Sequence, residues 1–191
     1  MYTKGLYLLD LDESHVDHLM TWVNDREVRE KFAKIGDSDI TREQELEWIK
    51  STILDRNVKC YSVFEQRLNE QMQVMGRTYV GHCSISNIYW PARRGTIGII
   101  LAPAHRGQGI GRTVMDLCLR QAFRELNLNK IELIHFRSNG RMAKLAERSG
   151  FTVEGCLRKH YMGADGELHD MVTLGLLRDE WSMRRHERST Y

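Results

Sequence analysis

The segment from Ile97 to Leu126 constrains the fold of this chain more than any other part of the sequence. Ile97–Leu101 is a short apolar run that predicts a buried β-strand, and Arg112–Leu126 has the periodicity of an amphipathic helix. The loop between them has alternating glycines and contains Arg106, Gly107, Gln108, Gly109, Ile110 and Gly111. Glycine lets a backbone come close to a ligand, and amides at a helix N-terminus attract anions. We therefore predict a strand–loop–helix unit whose amides bind a pyrophosphate.

Two common phosphate-binding motifs do not account for this loop. A Walker A loop ends in Gly-Lys-Ser/Thr, which Gly111-Arg112-Thr113 only approximates. A dinucleotide fingerprint requires G-x-G-x-x-G directly after a strand. Here the spacing is G-x-G-x-G, and Ala102–His105 separate the strand from the glycines. The loop therefore indicates another kind of phosphate site.

Three ordered motifs resemble those of the GNAT superfamily of acyl-CoA-dependent N-acyltransferases. Arg106-x-x-Gly109-x-Gly111 is similar to its Q/R-x-x-G-x-G/A motif, and Asn139–Phe151 is similar to its N-x-x-A-x-x-L-x-x-x-G-F segment. Glu154-Gly155 and Gly166–Asp170 resemble the C-terminal strands of one branch. That branch includes ribosomal-protein N-terminal, spermidine and amino-sugar acetyltransferases. The resemblance is specific from Gly95 to Trp181 and loose before Tyr79.

The resemblance implies a mixed α/β fold, in which helices flank a mostly antiparallel sheet of about seven strands with one parallel, splayed pair. The order strand, helix, strand over residues 97–136 independently predicts that those two strands are parallel. We expect a single N-acetyltransferase domain over residues 1–191. Its parts would be acceptor-side helices at about 14–54, an acetyl-CoA-binding core at about 95–151 and a C-terminal hairpin at about 151–177.

Local patterns predict the remaining elements. Ser14 is expected to cap a first helix, and Thr41 with Gln44 forms a capping box for a helix with the stripe Leu46, Ile49 and Ile53. A short helix is expected at Val28–Ala33, a loop at Lys34–Asp39, and a flexible loop or partner contact at Gln66–Val74. Strands are expected at Gly5–Leu11, Cys60–Glu65, Arg77–Ile88, Lys130–Phe136, Phe151–Met162 and Leu168–Leu177.

The resemblance also implies how acetyl-CoA, the co-substrate, would bind. Its pyrophosphate would lie on the amides from Arg106 to Gly111, and its pantetheine arm would pair with the exposed edge of Ile99, Ile100 and Leu101. Asn139 matches a family position that contacts this molecule. Lys144, one turn further on, could reach a phosphate or could simply be solvated.

The chemistry would be direct attack of a neutral amine on the thioester carbon. The family often has a Tyr as the acid for the leaving thiolate, and the matching residue here is Ala146. The Glu often found near the start of the fourth strand is also missing from Gly95–Ile97. Tyr161 could replace the acid and His82 could serve as base, although both side chains have a structural alternative.

The leading function is therefore an N-acetyltransferase acting on a primary amine. The acceptor could be a protein N-terminus, a polyamine or an amino sugar, and a homodimer is possible. The alternative is a non-catalytic acetyl-CoA-binding sensor or partner module, which the alanine at position 146 keeps open.

Composition excludes several other classes of protein. A net charge of +2 gives no field that would attract nucleic acid or an anionic membrane, and no apolar run has the length of a membrane span. Arg184–Arg188 is expected to be a solvated basic tail. The four cysteines have no metal-ligand spacing, so we expect no metal site and buried free thiols in the cytoplasm.

Overall fold

The computed structural model describes residues 3–25, 28, 39–69, 71, 73–163 and 165–189. In these residues the chain forms one mixed sheet of seven strands in the order β1-β2-β3-β4-β5-β7-β6. The strands are β1 Thr3–Asp10, β2 Lys59–Leu68, β3 Val74–Tyr89, β4 Arg94–Leu101, β5 Lys130–Phe136, β6 Thr152–Met162 and β7 Leu168–Leu177. Only β4 and β5 run parallel, and every other neighbouring pair is antiparallel. The predicted fold class is confirmed.

Five α-helices accompany the sheet in the described part of the chain. They are α1 Val16–Met20, α2 Arg42–Leu54, α3 Ile110–Arg120, α4 Gly140–Ser149 and α5 Arg178–Ser189. A π-helical turn, Gln121–Glu125, extends α3. The Thr41 hydroxyl and the Gln44 side chain form the predicted capping box of α2, and the side chain of Asn139 caps α4, which ends at the left-handed Gly150.

The helices cover the two faces of the sheet, because side chains alternate between faces along each strand. Helices α3 and α4 pack on one face through Val114, Met115 and Ala146, in a core cluster that includes Ile97 and Leu133. Helices α1 and α2 pack on the other face, in a second cluster. Its members are Leu11, Val16, Leu19, Trp22, Val28, Ile49, Cys60, Phe64, Tyr79 and Ala102. We call this second side of the sheet the acceptor face.

Several local predictions are wrong. Asp12, and not Ser14, is the N-cap of the first helical turn, because its carboxylate accepts from the Ser14 amide at 2.9 Å. The predicted loop Gln66–Val74 is shorter at both ends, since β2 runs to Leu68 and β3 begins at Val74. The stripe of α2 is also different, because Ile53 is 48 % exposed whereas Glu45 is buried.

Two further predictions concern the C-terminal segment and the cysteines. Arg184–Arg188, which is expected to be a solvated basic tail, lies within helix α5. Three cysteines are buried free thiols, as predicted, but Cys156 is exposed on β6. Residues 29–33 and 34–38, where a helix and a loop are predicted, lie outside the described residues.

Candidate active site

Strands β4 and β5 pair over three residues only and then separate. Arg94, Gly95 and Thr96 of β4 pair with Lys130, Ile131 and Glu132 of β5. Beyond Thr96, β4 continues to Leu101 with β3 as its partner on one side. On the side facing β5, no ladder pairing continues from Ile97 to Leu101 among the described residues. This open edge is where an extended molecule with amide groups can add to the sheet.

The glycine loop lies directly beyond this open edge. Gly107 and Gly109 have φ values of 76° and 80°, a left-handed conformation that favours glycine. A Cβ added at either position meets nothing within 4 Å, so both face open space. Gly111 is different, because it lies inside α3 and a Cβ there would make ordinary contacts at 3.7 Å with two leucine side chains. The backbone conformation therefore requires glycine at two of the three positions, 107 and 109.

The N-terminus of α3 fits an anionic group. Gly109 is its N-cap, and no side chain forms a capping hydrogen bond there, whereas Thr41 and Asn139 cap α2 and α4. The first-turn amides and the helix dipole therefore face outwards. Arg106 Nε donates to the Leu101 carbonyl at 2.9 Å, which fastens the loop to the end of β4. The residues present fit the pyrophosphate and pantetheine of acetyl-CoA.

Two other residues predicted to contact acetyl-CoA lie on α4. Asn139 Oδ1 accepts from the Met142 amide at 3.1 Å, so its oxygen serves as a helix cap. The Asn139 amide group has no hydrogen bond among the described residues. Lys144 is exposed. The side-chain amide of Asn139 and the ammonium group of Lys144 could therefore donate hydrogen bonds to a ligand.

His82 lies on the acceptor face, on β3, which is paired with β4 on the side away from the open edge. It is the cross-strand partner of Ile100, one of the three β4 residues that the resemblance places along the pantetheine arm. Its ring lies between those of Trp22 and Trp48, with centroid separations of 5.6 and 5.8 Å. Nδ1 is buried without a hydrogen-bond partner. Burial lowers the pKa of His82 from its usual 6.5 to about 4, so the imidazole is neutral at pH 7.

Tyr161 lies on β6 and is partly buried. Its ring packs edge-to-face on Phe136, at the end of β5, with centroids 5.4 Å apart. Thr96 and Glu132 are paired and therefore lie on the same face of the sheet. Every second residue along a strand shares a face, so Phe136 lies on the same face as Glu132, and Ile100 with its partner His82 lies on the same face as Thr96. Phe136 is therefore on the acceptor face with His82. Tyr161 and His82 are nevertheless four strands apart in the sheet order. The structure therefore places both candidates on one face but does not bring them together.

Sequence reasoning missed the buried polar atoms of the acceptor face. Glu45 is only 6 % exposed, and burial raises the pKa of its carboxyl group. Two atoms of aromatic residues on this face, Tyr7 Oη and Trp22 Nε1, are also buried without hydrogen-bond partners. Glu45 and Ile49 are four residues apart and share one face of the helix, which is the signal in the sequence for the burial of Glu45. Glutamate side chains are usually exposed, so the sequence alone favours a solvated carboxylate.

The described residues also limit other interpretations. No group of three or more His, Cys, Asp or Glu side chains among them could hold a metal ion. None of the helices in the described part of the chain is both long and apolar enough to cross a membrane.

Comparison with known proteins identifies the class that this fold and site define. Residues 6–152 match the family described as an acetyltransferase (GNAT) domain. The chain therefore belongs to the GNAT acetyltransferases and is an N-acetyltransferase that uses acetyl-CoA as its co-substrate. The predicted resemblance is confirmed.

Individual relatives come from the predicted branch. The chain is 26% identical to an uncharacterised N-acetyltransferase, p20, of Bacillus licheniformis, over 95% of this chain and 98% of the relative. It is 30% identical to the spermidine N(1)-acetyltransferase of Vibrio cholerae, over 56% of this chain and 62% of that protein. The fold also matches a spermidine N-acetyltransferase of Vibrio cholerae solved with CoA and spermine. That match has a TM-score of 0.78 and 23% identity, and it covers 93% of this chain and 98% of the other.

Proposed function

We propose that this enzyme acetylates a small primary amine that approaches from the acceptor face, with His82 as the base and Tyr161 as the acid. The observation that carries the proposal is the position of His82, which is on the acceptor face as the cross-strand partner of Ile100 of β4. An amine that approaches β4 over this face would meet a neutral imidazole with a buried, unpaired nitrogen.

Acetyl-CoA would be held by backbone groups. The amides of Arg106, Gly107, Gln108, Gly109, Ile110 and Gly111 would surround the pyrophosphate, because the N-terminus of α3 has no side-chain cap. Ile99, Ile100 and Leu101 would pair with the pantetheine arm along the open edge. The side-chain amide of Asn139 and the exposed Lys144 would provide further donors.

The base would act after the amine has attacked. Attack of a neutral amine gives a tetrahedral adduct with a positively charged nitrogen, which is a far stronger acid than a free ammonium ion. His82 can take that proton even with a pKa of about 4. A backbone N–H of β4 beside Ile100 would stabilise the oxyanion. The C–S bond then breaks, and the products are the acetylated amine and CoA thiol.

The thiolate would receive its proton from another group. Ala146 cannot supply it, because its methyl group is fully buried in the first core cluster. Tyr161 carries a phenol on the acceptor face and packs on the last residue of β5. We therefore keep Tyr161 as the proposed acid.

Small-molecule amines are the favoured acceptors. The support is the relative whose name specifies spermidine and the ring-lined face around His82. Cationic amines bind well to aromatic faces. A protein N-terminus or an amino sugar remains the alternative acceptor. An assay with all three kinds of amine distinguishes these acceptors.

We further propose a cytoplasmic enzyme with one domain over residues 1–191, which can associate as a homodimer. The three buried free thiols support a reducing compartment. A single sheet that contains strands from both ends of the described chain supports one domain. Strand β6 lies at the sheet edge and exposes Val153 and Met162, which supports association with a second copy.

The decisive experiment measures CoA thiol release from acetyl-CoA with peptides, polyamines and amino-sugar nucleotides, while calorimetry follows acetyl-CoA binding. Turnover on small amines supports the proposal, and Tyr161→Phe in the same assay tests the acid. Tight acetyl-CoA binding without turnover on any amine would instead support a sensor. Turnover restricted to peptides would overturn the acceptor class.

A further inference from the structure

Glu45 on helix α2 is a buried carboxylate without a stabilising partner. The residue is 6 % exposed, and among the described residues its side chain has no hydrogen bond and no ion pair. Burial of a charged group without a partner is unfavourable, and the raised pKa of Glu45 reflects this. Its neighbour Glu47 has no such constraint, because it is exposed on the same helix. Glu45 therefore reduces the stability of the free protein, and a cationic ligand would compensate for that.

The surroundings of Glu45 suit a cation. Glu45 and Ile49 are the buried residues of α2 and lie one turn apart, and Ile49 packs with Cys60 of β2 and Tyr79 of β3 on the acceptor face. Trp48, one turn after Glu45 on α2, contacts the ring of His82. Trp22 lies between Tyr79 and His82, at 6.5 and 5.6 Å. Aromatic faces beside a carboxylate form the kind of site that binds an ammonium group.

A second observation points to a ligand on this face. Trp22 Nε1 and His82 Nδ1 are both buried atoms without hydrogen-bond partners, and the rings that carry them lie next to each other, with centroids 5.6 Å apart. Buried polar atoms in folded proteins are normally paired. Two unpaired atoms on neighbouring rings, on the face that also contains an unpaired carboxylate, are explained by a polar ligand that binds on this face.

We propose that Glu45 binds a second, protonated amino group of the acceptor, so that the enzyme selects amines that carry an additional positive charge. This inference rests on the proposed acetyl transfer and assigns its specificity. An ammonium group paired with a carboxylate has a raised pKa and cannot act as a nucleophile. The amine held by Glu45 is therefore not the amine that reacts. A different amino group of the same molecule reaches Ile100 and His82.

Packing on the acceptor face brings the two positions into one region. Ile49, one turn after Glu45 on α2, belongs to the same cluster as Ile100 of β4. A flexible alkyl linker can therefore connect an amino group at Glu45 with one at β4. Diamines and polyamines have this arrangement, whereas a simple alkylamine lacks the second charge.

The test compares diaminobutane with butylamine, which differ by one amino group. We expect wild-type kcat/KM to favour diaminobutane by about tenfold or more, the size expected for a hydrogen bond to a charged group. Glu45→Gln should remove most of this preference by lowering kcat/KM for diaminobutane alone. Its KM for acetyl-CoA should be unchanged. Glu47→Gln is the matched control and should retain the wild-type preference.

The outcomes separate this inference from the proposed function. Equal use of both amines by the wild type, or an equal loss on both in Glu45→Gln, would overturn the role of Glu45 while acetyl transfer stands. If no amine is acetylated, the proposed function fails, and calorimetric binding of the two amines still tests Glu45. If Glu45 stabilised the fold, Glu45→Gln would lower the Tm. If Glu45 is an unpaired buried carboxylate, the same variant should raise the Tm. Glu45→Asp, which keeps the charge, should retain part of the preference.

Discussion

At the scale of single residues, His82 combines two properties that rarely occur together. Its Nδ1 is buried and unpaired, which keeps the imidazole neutral, and it lies across from Ile100 of β4, the strand along which the thioester would lie. A surface histidine near its usual pKa would be partly protonated at neutral pH and partly unable to accept a proton. Burial therefore keeps the imidazole unprotonated at neutral pH, while the lowered pKa makes it a weaker base.

We predict that His82→Ala lowers kcat by about a hundredfold or more, because a positioned general base contributes at least that factor. The KM for acetyl-CoA should change little, since the binding loop lies beyond β4. Steady-state thiol release measures both parameters. His160→Ala is the matched control, because His160 is exposed on β6. A kcat within a few-fold of wild type would show that water removes the proton.

The same histidine makes stability depend on pH. Its pKa is 6.5 in the unfolded chain and about 4 in the fold, so between these values the unfolded state binds more protons. Stability from this group is therefore complete above pH 6.5 and is lost as pH falls towards 4. His15, whose pKa burial also lowers, acts in the same direction, whereas Glu45 acts in the opposite one.

We predict that the free energy of unfolding falls by about 2 kcal/mol from His82 alone between pH 7 and pH 5. Urea denaturation at the two pH values measures this change. His82→Gln should remove that part of the pH dependence and leave the contributions of the other groups. An identical slope in wild type and variant would mean that the imidazole is hydrated in the fold.

At the scale of elements, the loop before α3 shows that neighbouring glycines have different roles. Gly107 and Gly109 need a left-handed backbone, and Gly111 is an ordinary helical residue with room for a methyl group. The motif alone treats all three alike, because a sequence does not show which glycine has a positive φ.

We predict that Gly109→Val abolishes acetyl-CoA binding, since a β-branched residue at φ 80° is strained and changes the amide orientations. Gly111→Ala should bind within a few-fold of wild type. Isothermal calorimetry with acetyl-CoA compares the two variants, and circular dichroism confirms that both fold. Equal loss of binding in both would show that the helical position is also in contact with the ligand.

Local signals in the sequence were sufficient for most elements. The capping box of Thr41 and Gln44 predicted the start of α2, because it depends on chemistry within a few residues. The burial of Glu45 could not be predicted, since it depends on what β2 and β3 place beneath α2. The unpaired nitrogen of His82 has the same origin, because Trp22 and Trp48 come from two separate segments.

At the scale of the whole molecule, the sheet consists of two halves with a narrow connection. Strands β1–β4 form one half and β5–β7 the other, and three residue pairs between β4 and β5 join their ladders. Helices α3 and α4 pack over this junction in the first core cluster. A molecule that occupies the open edge would contact residues on both sides of the weakest part of the sheet.

We predict that acetyl-CoA at a hundred times its Kd stabilises the fold by about 2.7 kcal/mol, the value that mass action gives for one site. For a chain of this size, that corresponds to a Tm increase of roughly 5–10 °C. Differential scanning fluorimetry with and without acetyl-CoA measures the shift. Gly109→Val should show none, and a shift of equal size in that variant would place the ligand elsewhere.

The narrow connection also has a consequence for biosynthesis. Residues 3–101 supply the first four strands, and β5 begins only at Lys130, so a growing polypeptide completes β4 before its parallel partner has left the ribosome. During that interval the whole edge from Arg94 to Leu101 is exposed to other nascent chains. This unpaired strand edge can pair with another chain until translation reaches Phe136 and β5 is complete.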